Sequence, residues 1–215
     1  MDASTATVVA ETLLSIEAVT LSPDKPFTWS SGLKSPIYCD NRLLLSYPEE
    51  RKVVYEALAE SIRSLNPDVI AGTATAGIPH AAWTAELLGL PMAYVRSSSK
   101  GHGKQNKIEG KIDPGSKVVI IEDLISTGGS AFQAAQAAEE AGAEIVGIAA
   151  IFTYELEASQ KIIAEKPYPV TSLTTFSKLA KIAEKKGEIT ASQLDSLKQW
   201  QQSPETWNPA GERQA

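Results

Sequence analysis

Glu122 and Asp123 sit side by side between the apolar run Val118-Val119-Ile120-Ile121 and the small-residue run Ser126-Thr127-Gly128-Gly129-Ser130. Adjacent carboxylates offer acceptors to two neighbouring sugar hydroxyls. A turn made of Gly, Ser and Thr brings backbone N–H groups close to a phosphate, and the alanine-rich helical run from Ala131 to Ala141 sets the positive end of a helix behind them. Phosphate on the turn and hydroxyls on the acids describe a ribose 5-phosphate. No Gly-Lys-Ser/Thr follows the glycines and no Gly-x-Gly-x-x-Gly occurs, which sets aside nucleotide loops of those two kinds. An ordinary buried strand with a tight turn is the plain alternative. It leaves two acids at a strand end with no polar ligand, a poor packing choice.

Two further stretches carry chemistry of the same sort. Gly72-Thr73-Ala74-Thr75-Ala76-Gly77 is a second small-residue turn after a short apolar strand, placed to hold another phosphate group. From Arg96 to Lys111 the charge changes sign: five cations, Arg96, Lys100, Lys104, Lys107 and Lys111, face the single acid Glu109, a local +4 in a chain of net charge −6. Three glycines, three serines and almost nothing apolar predict a segment that moves until a ligand orders it. Read alone, it is a solvated basic hairpin. Immediately before the acidic motif, it reads as a lid that closes on a polyphosphate. His102 lies within it; His80, after Pro79 at a helix start, is expected to make a local polar contact. The single cysteine, Cys39, reads as a small buried filler.

The elements that must position these residues follow from the patterning. Val118 to Ile121 is a strand buried on both faces, as in the middle of a parallel sheet. Val69 to Ala71, Met92 to Val95 and Ile145 to Phe152 are further strands, with Val170 to Leu173 at an edge. Helices are predicted over about 5–18, from a capping box Ser46/Glu49 with Pro48 to about Ser64, after Pro79, and from Ala131 to Ala141 with Gly142 at its C-terminus. Asn66-Pro67 ends the second helix. Leu179, Ile182 and Ala183 share a face of a helix starting at Phe176, and Thr190 with Gln193 caps a last helix ending near Trp200. Strands alternating with helices give an α/β, doubly wound, mainly parallel sheet whose ligands sit at the carboxyl ends of the strands. Lys25 to Arg42, with two prolines and one glycine, reads as short strands and turns: either a hood over a flat polar ligand or a flap over a sheet edge. We divide the single domain 1–215 into a hood (about 20–45), a core (about 69–173), C-terminal helices (about 176–202) and a loose tail (203–215).

Length and composition bound the rest. Of 215 residues 43% are hydrophobic and 21% charged, a globular balance. The acidic net charge gives a nucleic-acid partner no support. No apolar run reaches the roughly 20 residues of a membrane span, and the N-terminus lacks a signal-peptide pattern. One cysteine suits a reducing compartment, so the cytoplasm is expected.

The motif around Glu122 resembles the signature of the type I phosphoribosyltransferases, which use phosphoribosyl diphosphate (PRPP). Phe27-Thr28-Trp29-Ser30-Ser31-Gly32 through Asn41-Arg42, Thr73 to Gly77 and the Arg96 to Gly110 loop narrow the likeness. Together they resemble the orotate phosphoribosyltransferase family up to about Leu156, and the C-terminal helices are similar to those of its longer members. The resemblance implies transfer of phosphoribose from PRPP to orotate, giving orotidine 5′-monophosphate and diphosphate in pyrimidine synthesis, with Mg2+ held mainly by PRPP. It implies that Glu122 and Asp123 hold the ribose hydroxyls. Ser126, Thr127, Gly128, Gly129 and Ser130 would cradle the 5′-phosphate, with Leu124, Ile125, Thr73 and Ala74 completing the PRPP site. Arg96, Lys100 and His102 would bind diphosphate, reaching into the partner's site in a homodimer. Lys100, His102 and Asp123 are the implied catalytic residues; Ser126, Phe27, Ser30 and Tyr38 are implied at orotate. Ser30, Ala76 and Ser97 stand where enterobacterial members carry lysine, and Tyr154 where they carry arginine, so the resemblance assigns no cation there. Backbone groups of 27–33, Lys34 or Arg42 are the candidates for orotate's carboxylate. Rival readings are a purine or uracil phosphoribosyltransferase, for which the hood and long basic loop have no evident purpose; a non-catalytic PRPP-sensing regulator, which would need a nucleic-acid surface; and a bare α/β interaction domain.

Overall fold

The computed structural model describes residues 3–29, 32–96 and 107–209. The chain enters through helix α1 (Ala3–Ser15) and turns at Glu17, whose φ of 57° redirects it into β1 (Val19–Leu21). That turn is why the helix stops short of Ala18. Strands β2 (Phe27–Thr28), β3 (Lys34–Ser35) and β4 (Ile37–Cys39) follow, β2 pairing with β3 and β1 with β4, both antiparallel. The resulting hood leads through a 3-10 turn, Asn41–Ser46, into α2 (Pro48–Ile62).

The main sheet is built from β5 (Val69–Thr73), β6 (Met92–Val95), β7 (Ile108–Glu109), β8 (Lys117–Ile125), β9 (Glu144–Thr153) and β10 (Val170–Thr175), in the order β10-β9-β8-β5-β6-β7. Every pairing in it is parallel except β6 with β7. Helix α3 (Gly77–Leu88) follows β5, α4 (Gly129–Glu140) follows β8, and α5 (Glu157–Ala164) follows β9; α6 (Phe176–Lys185) and α7 (Ala191–Gln202) close the chain. The four apolar residues of β8 explain its central place. Val119 and Ile121 face one core with Leu13, Leu58 and Trp200, while Val118 and Ile120 face a second core with the alanines of α4. Burying both faces of one strand requires a helical layer on each side, the doubly wound arrangement.

Four expectations change. Ser46 does not cap α2: it is taken up in the 3-10 turn, and Tyr47 stands at the N-cap with no side-chain bond, ahead of Pro48. Helix α5 has no counterpart among the predicted elements; its Lys161–Glu157 pair (2.7 Å) is exposed, and Ile162 and Ile163 only partly pack on the second core. His80 makes no polar contact: it is fully buried, and among the described residues neither ring nitrogen has a hydrogen-bond partner. Nor is the tail loose from Ser203 to Pro209. Trp207 packs against the first core, and its indole N–H donates to Ser196 Oγ at 3.2 Å. The Thr190/Gln193 capping box is present as expected.

Candidate active site

The carboxyl ends of β5, β6 and β8 lie together at one edge of the sheet, and both small-residue turns leave from it. β5 passes to α3 through the turn 74–76, where Ala74 N–H donates to Val95 O at 2.8 Å. Gly77 is needed because α3 starts against β8: a Cβ there would lie 2.5 Å from Thr73 Oγ1 and 2.6 Å from Ile121 O. β8 passes to α4 through Ser126–Gly128, and Gly128 (φ 90°) takes the left-handed conformation at the N-cap with no side-chain cap. The first-turn amides of α4 therefore have no protein side chain on them from that cap.

The two acids differ in circumstance. Glu122 is 4% exposed and already surrounded by donors: Thr73 Oγ1 (2.6 Å) and Asp123 N–H (3.1 Å) on Oε1, and Ser130 Oγ (2.6 Å) on Oε2. It ties the β5 turn to the β8 turn. Ligand hydroxyls would reach it by displacing Thr73 or Ser130. Asp123 is half-buried. Desolvation, and next to it the Glu122 carboxyl, push its pKa up from 3.8 to about 7. Asn41 Nδ2 donates to Asp123 O at 2.7 Å, fastening the hood to the end of β8.

Beside Asp123 opens a cavity of about 1070 Å³. Trp29 and Tyr38 of the hood, Leu124, Ser126 and Thr127 of the β8 turn, and Tyr154 after β9 all line it. Its remaining wall includes Gln202 to Thr206. Phe27 stands behind, with its ring 5.6 Å from Tyr38. No lysine or arginine is among the described residues lining it. Lys34 is on the hairpin but outside the lining, and Arg42 is forked onto Asp40 (2.6 and 2.8 Å), which holds the Asp40 carboxyl below its usual range. Burial raises the Tyr154 hydroxyl and the Cys39 thiol, both on the cavity wall, so each keeps its proton.

Ser126 to Ser130, Glu122, Asp123, Thr73 and Ala74 are thus gathered at one edge, with Tyr38 across the cavity. Arg96 stands at the end of β6 in an ion pair with Glu109 (3.5 Å). Ser30, Ser97, Lys100, His102 and Lys104 lie outside the described residues. Among the described residues no group of three or more His, Cys, Asp or Glu is arranged to hold a metal ion, and no helix is long and apolar enough to cross a membrane. Sequence reasoning missed Asn41 as a tie, Trp29 and Tyr154 as facing walls, and the Gln202 to Thr206 wall. The only signal was that Trp200 and Trp207 flank it in an otherwise polar stretch.

A parallel sheet with an acidic strand end and a small-residue turn against a helix is the site of a phosphoribosyltransferase, and the phosphoribosyl transferase domain family matches residues 43–183. An orotate phosphoribosyltransferase from Listeria monocytogenes serotype 4b is 55% identical over 201 residues, 93% of this chain and 96% of that protein. The crystal structure of orotate phosphoribosyltransferase from Aeropyrum pernix superposes with a TM-score of 0.72 at 28% identity, over 85% of this chain and 99% of that one. UMP synthase from Leishmania donovani gives 0.76 at 29% identity, over 91% of this chain but 42% of that one. The chain belongs to the orotate phosphoribosyltransferase family.

Proposed function

We propose that this chain transfers the 5-phosphoribosyl group of PRPP to orotate, giving orotidine 5′-monophosphate and diphosphate. One observation carries the reading: Ser126 and Thr127 of the phosphate turn line the same cavity as the aromatic hood residues Trp29 and Tyr38. A flat base between the aromatic walls would lie next to a ribose 5-phosphate on the turn. Displacing diphosphate from the anomeric carbon builds positive charge on the sugar and negative charge on the leaving group. Asp123 accepts ribose hydroxyl bonds and, ionised, faces the positive sugar. The amides of the 126–130 turn and α4 hold the 5′-phosphate. Lys100 and His102, supported by Arg96, meet the departing diphosphate as its charge develops.

Mg2+ suits this donor set. It prefers phosphate oxygens and retains its waters, so PRPP would supply most of its ligands, Asp123 would be the carboxylate on offer from this chain, and the bound ion would offset diphosphate charge. The carboxylate of orotate is assigned to backbone amides and hydroxyls of the 27–33 stretch, since neither Lys34 nor Arg42 lines the cavity. We further read the enzyme as a cytoplasmic homodimer serving pyrimidine synthesis, with the basic loop of each chain completing the partner's site. The direct test is the absorbance of orotate after addition of Mg-PRPP, with uracil, adenine and hypoxanthine as competitors. Orotate should be consumed with a kcat/KM at least about a hundredfold above any of them, because uracil leaves the donors for the carboxylate unpaired. A purine as the preferred acceptor would overturn the reading.

A further inference from the structure

Leu194, Leu197 and Trp200 recur at every third residue of α7 and form its buried stripe. Trp200 is fully buried and needs a partner for its indole N–H; it donates to Lys34 O of the β2–β3 hairpin at 3.2 Å. Its ring meets Trp29 edge-on at 5.7 Å and Tyr154 edge-on at 5.7 Å, with Phe176 behind at 5.5 Å. Trp29 and Tyr154 lie 5.4 Å apart, and both line the cavity; Trp200 does not. The next residue fastens the same wall by a different bond. Gln201 Nε2 donates to Tyr154 O at 3.1 Å and to Glu155 Oε2 at 3.2 Å. Glu155 is held at φ 55°, and its carboxylate also accepts from Ser177 N–H at the start of α6 (2.9 Å).

The phosphate side is fastened separately, by Thr73 and Ser130 on Glu122 and by Asn41 on Asp123. None of these bonds involves α7. The match to the phosphoribosyl transferase domain ends at residue 183, and α7 begins at Ala191. One wall of the cavity is therefore held by an element beyond the domain that carries the acids and the phosphate turn.

We propose that Trp200 and Gln201 are positioning residues for the acceptor base: from behind the cavity they set Trp29 of the hood against Tyr154 of the β9 end. Loosening them moves the base-facing wall and leaves the ribose-phosphate side in place. The proposal rests on the reading above only for the identity of the base.

Three variants test it in the full-length chain. Trp200→Phe keeps a ring and removes the N–H, Trp200→Leu removes the aromatic stack, and Gln201→Leu removes the bonds to Tyr154 and Glu155 at a half-buried position. Each is measured for kcat, KM of orotate, KM of PRPP, and hydrogen exchange of the Phe27, Thr28, Trp29 and Leu33 amides. The expected result is a rise in orotate KM of roughly tenfold for Trp200→Leu and a smaller rise for the other two. PRPP KM should stay within about twofold, and the hood amides should exchange faster while those of β8 do not. An equal rise in both KM values would make α7 merely a stabilising element and overturn the proposal, as would unchanged hood exchange and orotate KM in folded Gln201→Leu and Trp200→Phe. If the wild-type chain does not consume orotate, the proposed function fails instead. Hood exchange in the same variants then decides the role of α7 by itself.

Discussion

Glu122 accepts from three protein donors, so its oxygens are already engaged before any ligand arrives, whereas Asp123, next to the cavity-lining Leu124, has its proton affinity raised. Asp123→Asn keeps the shape and removes the charge. It should lower kcat/KM for PRPP by roughly ten- to hundredfold, the effect of about 1.5–3 kcal/mol for a charged hydrogen bond, with unchanged circular dichroism. The same carboxyl sets a pH dependence. Burial and the Glu122 carboxyl push its pKa up to about 7, so kcat/KM for PRPP should rise as the pH passes through that region in wild type and lack that inflection in Asp123→Asn. Stability runs the other way: between pH 4 and 7 the folded chain keeps a proton that the unfolded chain has released, so stability falls as pH rises through that window, and Asp123→Asn should flatten the fall. His80 gives the opposite sign. Burial lowers its pKa from 6.5 to about 4, so the unfolded chain takes up a proton that the folded chain refuses, and stability is lost as pH falls through that interval. His80→Leu removes that loss along with two ring nitrogens that have no hydrogen-bond partner among the described residues. Its urea midpoint at pH 5 should correspond to a gain on the order of 2 kcal/mol, while the gain at pH 8 should be smaller.

Among the elements, β8 was legible because four consecutive Val and Ile residues admit no half-exposed strand, and the acids and small residues beyond it form a contiguous signature. α5 was illegible because only Ile162 and Ile163 of its eight residues pack against a core. Ser46 misled because a capping sequence is a local preference, and the 3-10 turn 41–46 overrides it. The missed parts of the site share one cause: long sequence separation. Asn41 reaches Asp123 across 82 residues and Trp200 reaches Lys34 across 166, and no periodicity records such meetings. Close approach between elements was half visible. Gly77 was recognisable as part of a turn, but its reason, the contact of α3 with β8, is tertiary. Gly77→Ala should force α3 away from Thr73 and Ile121. A loss of about 1–3 kcal/mol in thermal unfolding is expected, with a raised PRPP KM because Thr73 also bonds Glu122.

At the scale of the whole molecule, the acidic chain concentrates its cations in the 96–111 segment, most of which lies outside the described residues. Leu43, Leu45 and Tyr47, close together in sequence, are each about 40% exposed, apolar surface that the proposed second copy of the chain would cover. Both features motivate the shared-site reading, in which Lys100 acts on diphosphate bound to the neighbouring chain. Lys100→Ala should then lower kcat more than it changes PRPP affinity, since the lysine's contact strengthens as leaving-group charge develops. A Lys100→Ala chain keeps a sound Asp123 pocket, and an Asp123→Asn chain keeps a sound basic loop. If the loop serves its neighbour, mixing the two weak variants creates hybrid dimers with one fully equipped site, and activity should climb well above either parent. With half of the dimers hybrid at equal mixing, recovery of roughly a quarter of the wild-type rate is expected. If the loop serves its own chain, every site in a hybrid keeps a defect and mixing restores nothing. Native mass spectrometry showing exchanged subunits, together with no recovery of orotate consumption, would exclude the shared site.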